Sequence, residues 1–144
     1  MFLFMTETKM KTITRNIKQK FLYAISIGVS IFLLFFVITC SWIGYEVKDQ
    51  CQEAKRQYGN DCVESLIKLL KDDNNNYKSR NDAIWALGQL GDSRALSTLQ
   101  SFYTGVIPER EPLDKNISQY ELKKAIRLAE GGFNMSAIVW RIGF

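Results

Sequence analysis

The most reactive side chains in this chain are the thiols of Cys40, Cys51 and Cys62, and no histidine accompanies them. Without imidazole, Ser-His and Cys-His nucleophilic pairs are excluded, and histidine metal sites with them. No Cys-x-x-Cys spacing occurs, so a catalytic thiol is not expected. Two readings stay open for Cys51 and Cys62: a disulfide, or two buried apolar thiols. Helix geometry weighs against the first. If a helix runs through to Tyr58, Cys51 lies about 10 Å below its end. Bridged cysteines need their Cα atoms within about 7 Å, so the helix would have to end early or unwind.

The charged cluster Glu109-Arg110-Glu111 lies between Pro108 and Pro112, with Gln119 and Tyr120 following at the mouth of the next helix. Loops on rigid scaffolds often carry binding residues, and these five form a candidate partner-binding loop. The plainer reading is an exposed linker with local ion pairing. Asp72 and Asp73 lack the spacing, central glycine and terminal glutamate of a calcium loop. Gly88 and Gly91 fall in and after a helix, not after a strand, so they do not cradle phosphate. No catalytic, cofactor-binding or metal-ligating residue is expected, and no cofactor.

Charge is unevenly placed. Lys9, Lys11, Arg15, Lys18 and Lys20 stand against Glu7 alone, which accounts for the whole net charge of +4. The remainder is balanced, so the basic pI belongs to the tail and nucleic acid is not an expected partner. Met1, Met5 and Met10 all offer starts to this arm, residues 1–20. Phe21 to Tyr45 then carries no charge. As a helix it reaches about 37 Å, enough to cross a hydrocarbon core of about 30 Å. Tyr23, Trp42 and Tyr45 sit near its ends, where amphipathic rings prefer the interface. The basic flank predicts a cytoplasmic N-terminus and an extracytoplasmic C-terminal domain, residues 46–144. The run is long for a cleaved signal peptide, which favours a retained anchor. Val37-Ile38-Thr39-Cys40 loosely resembles a lipobox, so lipidation at Cys40 is the alternative.

From Glu46 the pattern is helical. Val47, Cys51, Ala54 and Tyr58 form one stripe, and Val63, Leu66, Ile67 and Leu70 another. Ala83, Ile84, Leu87 and Leu90 form a third, closed by Gly91, and Ala95, Leu96, Leu99, Phe102 and Tyr103 a fourth. A shift of 32 positions lays Cys51, Ala54, Tyr58, Gly59, Val63 and Ile67 on Ala83, Ala86, Leu90, Gly91, Ala95 and Leu99. That is an internal repeat of antiparallel helix pairs. Leu122, Ala125, Ile126 and Ala129 begin a third pair, after a loop lengthened between Thr104 and Ile117. Met135, Ile138, Val139 and Ile142 would line its last helix. Capping is predicted at Asp61 with Glu64, Ser79 with Asp82, Asp92, and Ser118 with Glu121. Trp85 falls off its stripe, either against a neighbouring repeat or exposed for a partner.

The run Arg80-x-x-Ala83-x-x-Ala86-Leu87-Gly88-x-Leu90-Gly91-Asp92 resembles the HEAT-like repeats of phycobilisome lyases. After the single transmembrane helix read from the apolar run, the resemblance implies an all-α domain, a short α-α superhelix of about three helix pairs. It also implies structural roles for Arg80, Leu87, Gly91 and Asp92, with Arg80 and Asp92 in ion pairs between repeats. Chromophore attachment does not carry over to a small, membrane-borne chain without histidine. The expected function is a non-enzymatic, membrane-tethered module that binds another protein at the cell envelope. A small structural subunit of a membrane complex is the alternative, its span packed through Gly28 and small neighbours.

Overall fold

A computed structural model describes the backbone of residues 2–59 and 61–141, and the side chains of those from Ile17 onward. The side chains of Lys9, Lys11 and Arg15 lie outside the described residues, as do Asn60 and Ile142. Among the described residues six α-helices follow in order: α1 Phe2–Tyr58, α2 Cys62–Lys71, α3 Tyr77–Leu90, α4 Leu96–Phe102, α5 Gln119–Ala129 and α6 Met135–Trp140. A single 3-10 turn, Ser93–Ala95, leads into α4, and no strand occurs among the described residues. The chain divides into two compact units, Met1–Thr39 and Cys40–Phe144.

In the first unit the stretch of α1 from Phe21 to Thr39 carries no charged side chain on any face. Its most apolar 18-residue window has a mean hydropathy of 2.6 with none of it buried. Phe21, Leu22, Phe32 and Phe35 are each exposed by more than 60%. The helix is long and apolar enough to cross a membrane. The hydroxyls of Ser30 and Thr39 turn back to the carbonyls of Ser26 and Phe35, both at 2.9 Å. Their polar groups are thereby satisfied within the helix.

The second unit begins inside the apolar run, ahead of the boundary expected at Glu46. Cys40, Gly44, Val47, Cys51 and Ala54 are buried and Tyr58 half-buried along α1. This spacing, alternating four and three residues, is one helical face. Within the uncharged run no polar contrast marks where the face starts, so sequence periodicity detects it only from Val47. Gly44 is essential to it: a Cβ there would come within 2.6 Å of the Trp140 Cβ.

The first helix pair is not the antiparallel hairpin that the repeat predicts. Cys51 is bonded to Cys62 at the start of α2, and the Tyr58 hydroxyl donates to Asp72 just past its end at 2.8 Å. The last turns of α1 therefore run alongside α2 in the same direction. Gly59 takes a left-handed conformation (φ 68°), and Asp61 is extended before α2 begins. The connection climbs back along α1 rather than reversing it. The helix neither ends early nor unwinds, and the two Cα atoms still stand 5.0 Å apart.

From α2 onward the repeat is regular. Arg80 at the start of α3 donates to the Leu70 carbonyl at the end of α2, so these two are antiparallel. At the same end the Arg80 guanidinium lies over the Phe102 ring, which closes α4, at 5.6 Å. Between α3 and α5 the helices run the same way, with Asn81 beside Ser118 and Gly88 beside Ala125. Leu66, Leu70, Ile84, Leu87, Leu99 and Leu122 fill the shared core. A Cβ on Gly88 would meet the Ala125 Cα at 2.8 Å, which explains glycine after Ala86-Leu87 in the motif.

Local signals needed two amendments. Asn76, not Ser79, caps α3: its side chain accepts from the Ser79 N–H at 2.8 Å. Ser118 accepts from the Glu121 N–H, yet its own N–H goes to Asn81. Asp61 caps α2 as predicted, accepting from the Glu64 N–H at 2.8 Å. In α6 the inward residues are Ala137 and Trp140, whereas Met135 and Ile138 are more than half exposed. That last helix is two turns long, and the close fit of Trp140 on Gly44 decides its rotation.

Candidate functional site

The stretch 103–118 between α4 and α5 is held down by polar residues rather than by a core of its own. Asn81, buried on α3, donates to the carbonyls of Leu113 and Asn116 at 2.9 and 2.8 Å. Its oxygen accepts from the Ser118 N–H at 2.8 Å. Every polar atom of that amide is therefore used, which offsets its burial. Gln119 pins the other end, accepting from the Thr104 N–H at 2.7 Å and donating to the Phe102 carbonyl. Nothing in the sequence pattern singles out Asn81. Its only signal is a polar residue on a face whose neighbours are apolar.

Glu111 belongs to this fastening. Its carboxylate accepts from the Gln119 N–H at 2.7 Å, the Tyr120 N–H at 3.2 Å and the Ser118 hydroxyl at 2.6 Å. These N–H groups are among the free donors that open α5, and a carboxylate suits the positive end of a helix. Glu111 and Gln119 thus spend their hydrogen-bonding capacity inside the chain. Glu109, Arg110 and Tyr120 remain exposed.

The five residues do not converge on one point. Arg110 lines a surface depression of about 520 Å³ with Tyr77, Thr104, Val106 and Asn116. Glu109 and Tyr120 line another, of about 330 Å³, with Ile107 and Leu113. Glu111 borders both. Lys124 stands 5.1 Å from the Tyr120 ring centre and pairs with Glu121 at 3.1 Å. The arrangement is open and mixed in charge.

Both Arg80 and Asp92 make ion pairs, and Arg94 joins Asp92 to the preceding repeat. Arg94 bridges Asp61, at the start of α2, and Asp92, at the start of the next repeat's second half. Arg80 instead pairs with Asp73 at 2.7 Å, donates to Leu70 and lies near the rings of Tyr77 and Phe102. The Glu64 N–H and then Arg94 hold the Asp61 carboxyl below the usual carboxylate range. For Asp92 the Arg94 guanidinium is the first cause of the same shift. Asp72 is lowered by the Asn74 N–H and the Tyr58 hydroxyl, while burial and the bond to Asp72 push the phenol of Tyr58 up. These aspartates are engaged by the fold. No cluster suited to a metal occurs among the described residues. Trp85 is half-buried against the core.

Gly91 takes the left-handed conformation (φ 62°) that ends α3, and Asp92 accepts from the Arg94 N–H at 2.9 Å. Leu87 is wholly buried. A family model described as PBS lyase HEAT-like repeat matches residues 79–104, the span from the first turn of α3 to just past α4. No curated protein and no solved structure matches the chain. The match supports a HEAT-like repeat domain built around α3 and α4.

Proposed function

We propose that this chain is a non-enzymatic HEAT-like module, tethered to a membrane by α1, that binds another protein at the cell envelope. The observation that carries this reading is the apolar window of α1, none of which is buried. So much contiguous apolar surface is costly in water and natural in lipid. The internally satisfied hydroxyls of Ser30 and Thr39 favour the same environment. The basic N-terminal flank favours a cytoplasmic N-terminus and an extracytoplasmic repeat unit. A disulfide between Cys51 and Cys62 agrees with that side.

Binding is assigned to the exposed residues Glu109, Arg110 and Tyr120, which a rigid helical scaffold carries on a pinned loop. Tethering would raise the local concentration of this surface near an envelope partner. Burial of Cys40 against the repeat unit favours a retained thiol over lipidation. A second reading, a small subunit of a membrane complex, draws on Gly28, where a Cβ would meet nothing within 4 Å. A partner helix could approach closely there.

Alkaline carbonate extraction of cell membranes tests the tether. The full chain should stay with the membrane pellet and leave it only in detergent; release by carbonate alone would contradict the reading. Partner capture by crosslinking separates the two functions. Loss on combining Glu109→Ala, Arg110→Ala and Tyr120→Ala supports the loop; loss only with Gly28→Leu supports the embedded subunit.

A further inference from the structure

We infer that the depression beside Arg110 takes an exposed segment of the partner protein in which an acidic side chain lies close to an apolar one, the carboxylate pairing with the Arg110 guanidinium. The inference rests on the loop binding proposed above and names the chemistry that loop selects. Arg110 and Glu111 are the two charged residues that line this depression. The Glu111 carboxylate is already taken by the Ser118 hydroxyl and by the N–H groups of Gln119 and Tyr120. Arg110 makes no hydrogen bond or ion pair among the described residues. The charge left to recruit a partner here is therefore positive. A guanidinium presents its N–H donors as a fork that meets a carboxylate at two points.

The rest of the lining shows what must accompany the carboxylate. Val106 and Tyr77, 71% and 41% exposed, share the depression with Pro108, so apolar surface lies open beside the cation. An exposed ion pair alone is worth little in water, and covering this surface supplies the remainder. Along the loop, Val106 and Arg110 line this depression, Ile107 and Glu109 line the other, and Pro108 borders both. Neighbouring residues thus serve opposite sides, as in extended chain, and Glu109 leaves Arg110 unpaired. The four positions from Val106 to Arg110 set the span that the segment has to match. Asn81 and Gln119 hold the loop at both ends, so little ordering remains to oppose binding. A small ligand is held by enclosure of most of its surface, which an open depression does not give; a segment of a protein needs no such enclosure.

The test pans random twelve-residue peptides, displayed on phage, against the full chain in lipid nanodiscs. Peptides retained by the Arg110→Ala chain are removed first. Those selected should carry Asp or Glu within four positions of a large apolar residue. A synthetic copy should bind Arg110→Ala about fivefold more weakly, as expected for one well-formed exposed pair. Arg110→Lys keeps the charge without the fork and should fall between the two. Arg110→Glu should select Lys or Arg in place of the acid, a gain that also shows the loop still folded. Selection of peptides without an acid, or of none, overturns the inference. Crosslinking of the envelope partner separates this failure from that of the loop. Capture that survives Arg110→Ala but not the triple variant of Glu109, Arg110 and Tyr120 overturns the inference and leaves the loop reading standing. Capture that survives both overturns the two together. Crosslinks between two copies of the chain, lost in Arg110→Ala with no acidic peptide selected, would assign the depression to a second copy and overturn the inference.

Discussion

Between α1 and α2 the chain turns at Gly59 and returns to the level of Cys51 before a helix starts. Between α3 and α4 it turns at Gly91, and Asp92 starts the next turn at once. Both turns use a left-handed glycine and a capping aspartate, and the apolar stripes overlay at a constant offset. The outcomes nevertheless differ in direction. The α3–α4 pair is an antiparallel hairpin, with Arg80 at the start of α3 lying over the Phe102 ring at the end of α4, and α1 and α2 run side by side under a covalent bond. Periodicity dictates which face is buried; connection length and cross-links dictate which way the helix runs.

The comparison can be broken most severely in the regular pair. Leu87, on α3, is wholly buried in the core of the repeat unit, so Leu87→Ala should cost about 2–5 kcal/mol in chemical denaturation. A cost below 1 kcal/mol would mean that the repeat core is not packed as described. Next comes the bridge. Replacing Cys51 and Cys62 together by alanine should cost about 3 kcal/mol for so short a closed loop. The loss should appear as faster hydrogen exchange confined to α2 and the end of α1. An equal loss of protection through α5 would show that the bridge holds the whole unit, not one pair.

Gly88→Ala sharpens the contrast from the other side. Its new methyl would meet Ala125 at 2.8 Å and force α3 from α5, at about 1–3 kcal/mol. The paired change at Gly59, where a Cβ meets nothing within 4 Å, should cost only the left-handed backbone, about 1–2 kcal/mol. Acid gives the smallest effect. Asp61, Asp72 and Asp92 have folded pKa values below their unfolded ones. Their stabilisation is therefore present above about pH 4 and is lost as pH falls through the folded values. Melting temperature should decline shallowly below pH 4, and less so in the double variant Asp61→Asn, Asp92→Asn. These pairs are exposed, so added salt should flatten the same decline.

Much of the regular part was legible because its rules are local. The stripes of α2, α3 and α5, the glycine end of α3 and the caps at Asp61 and Ser118 each depend on residues within one or two turns. What escaped depends on distant partners. Cys40 and Gly44 lie in a run that is apolar all round, so no contrast reveals their buried face. The rotation of α6 follows from Trp140 meeting Gly44, nearly a hundred positions away in sequence. At the candidate site, Glu109 to Glu111 and Gln119 stood out as polar residues in a loop. Their division of labour did not. Glu111 and Gln119 fasten the loop to α5 and α4, and Asn81, which anchors it to α3, looks like any other polar helix residue.

Labelling with a membrane-impermeant thiol reagent in intact cells, before and after reduction, tests the central claim most directly. Cys51 and Cys62 should be silent at first and labelled once reduced, since a bridged pair on an extracytoplasmic unit is reachable only then. Labelling that requires cell lysis, and no reductant, would put the repeat unit in the cytoplasm with free thiols. That result would contradict both the orientation and the covalent bond that sets α1 beside α2.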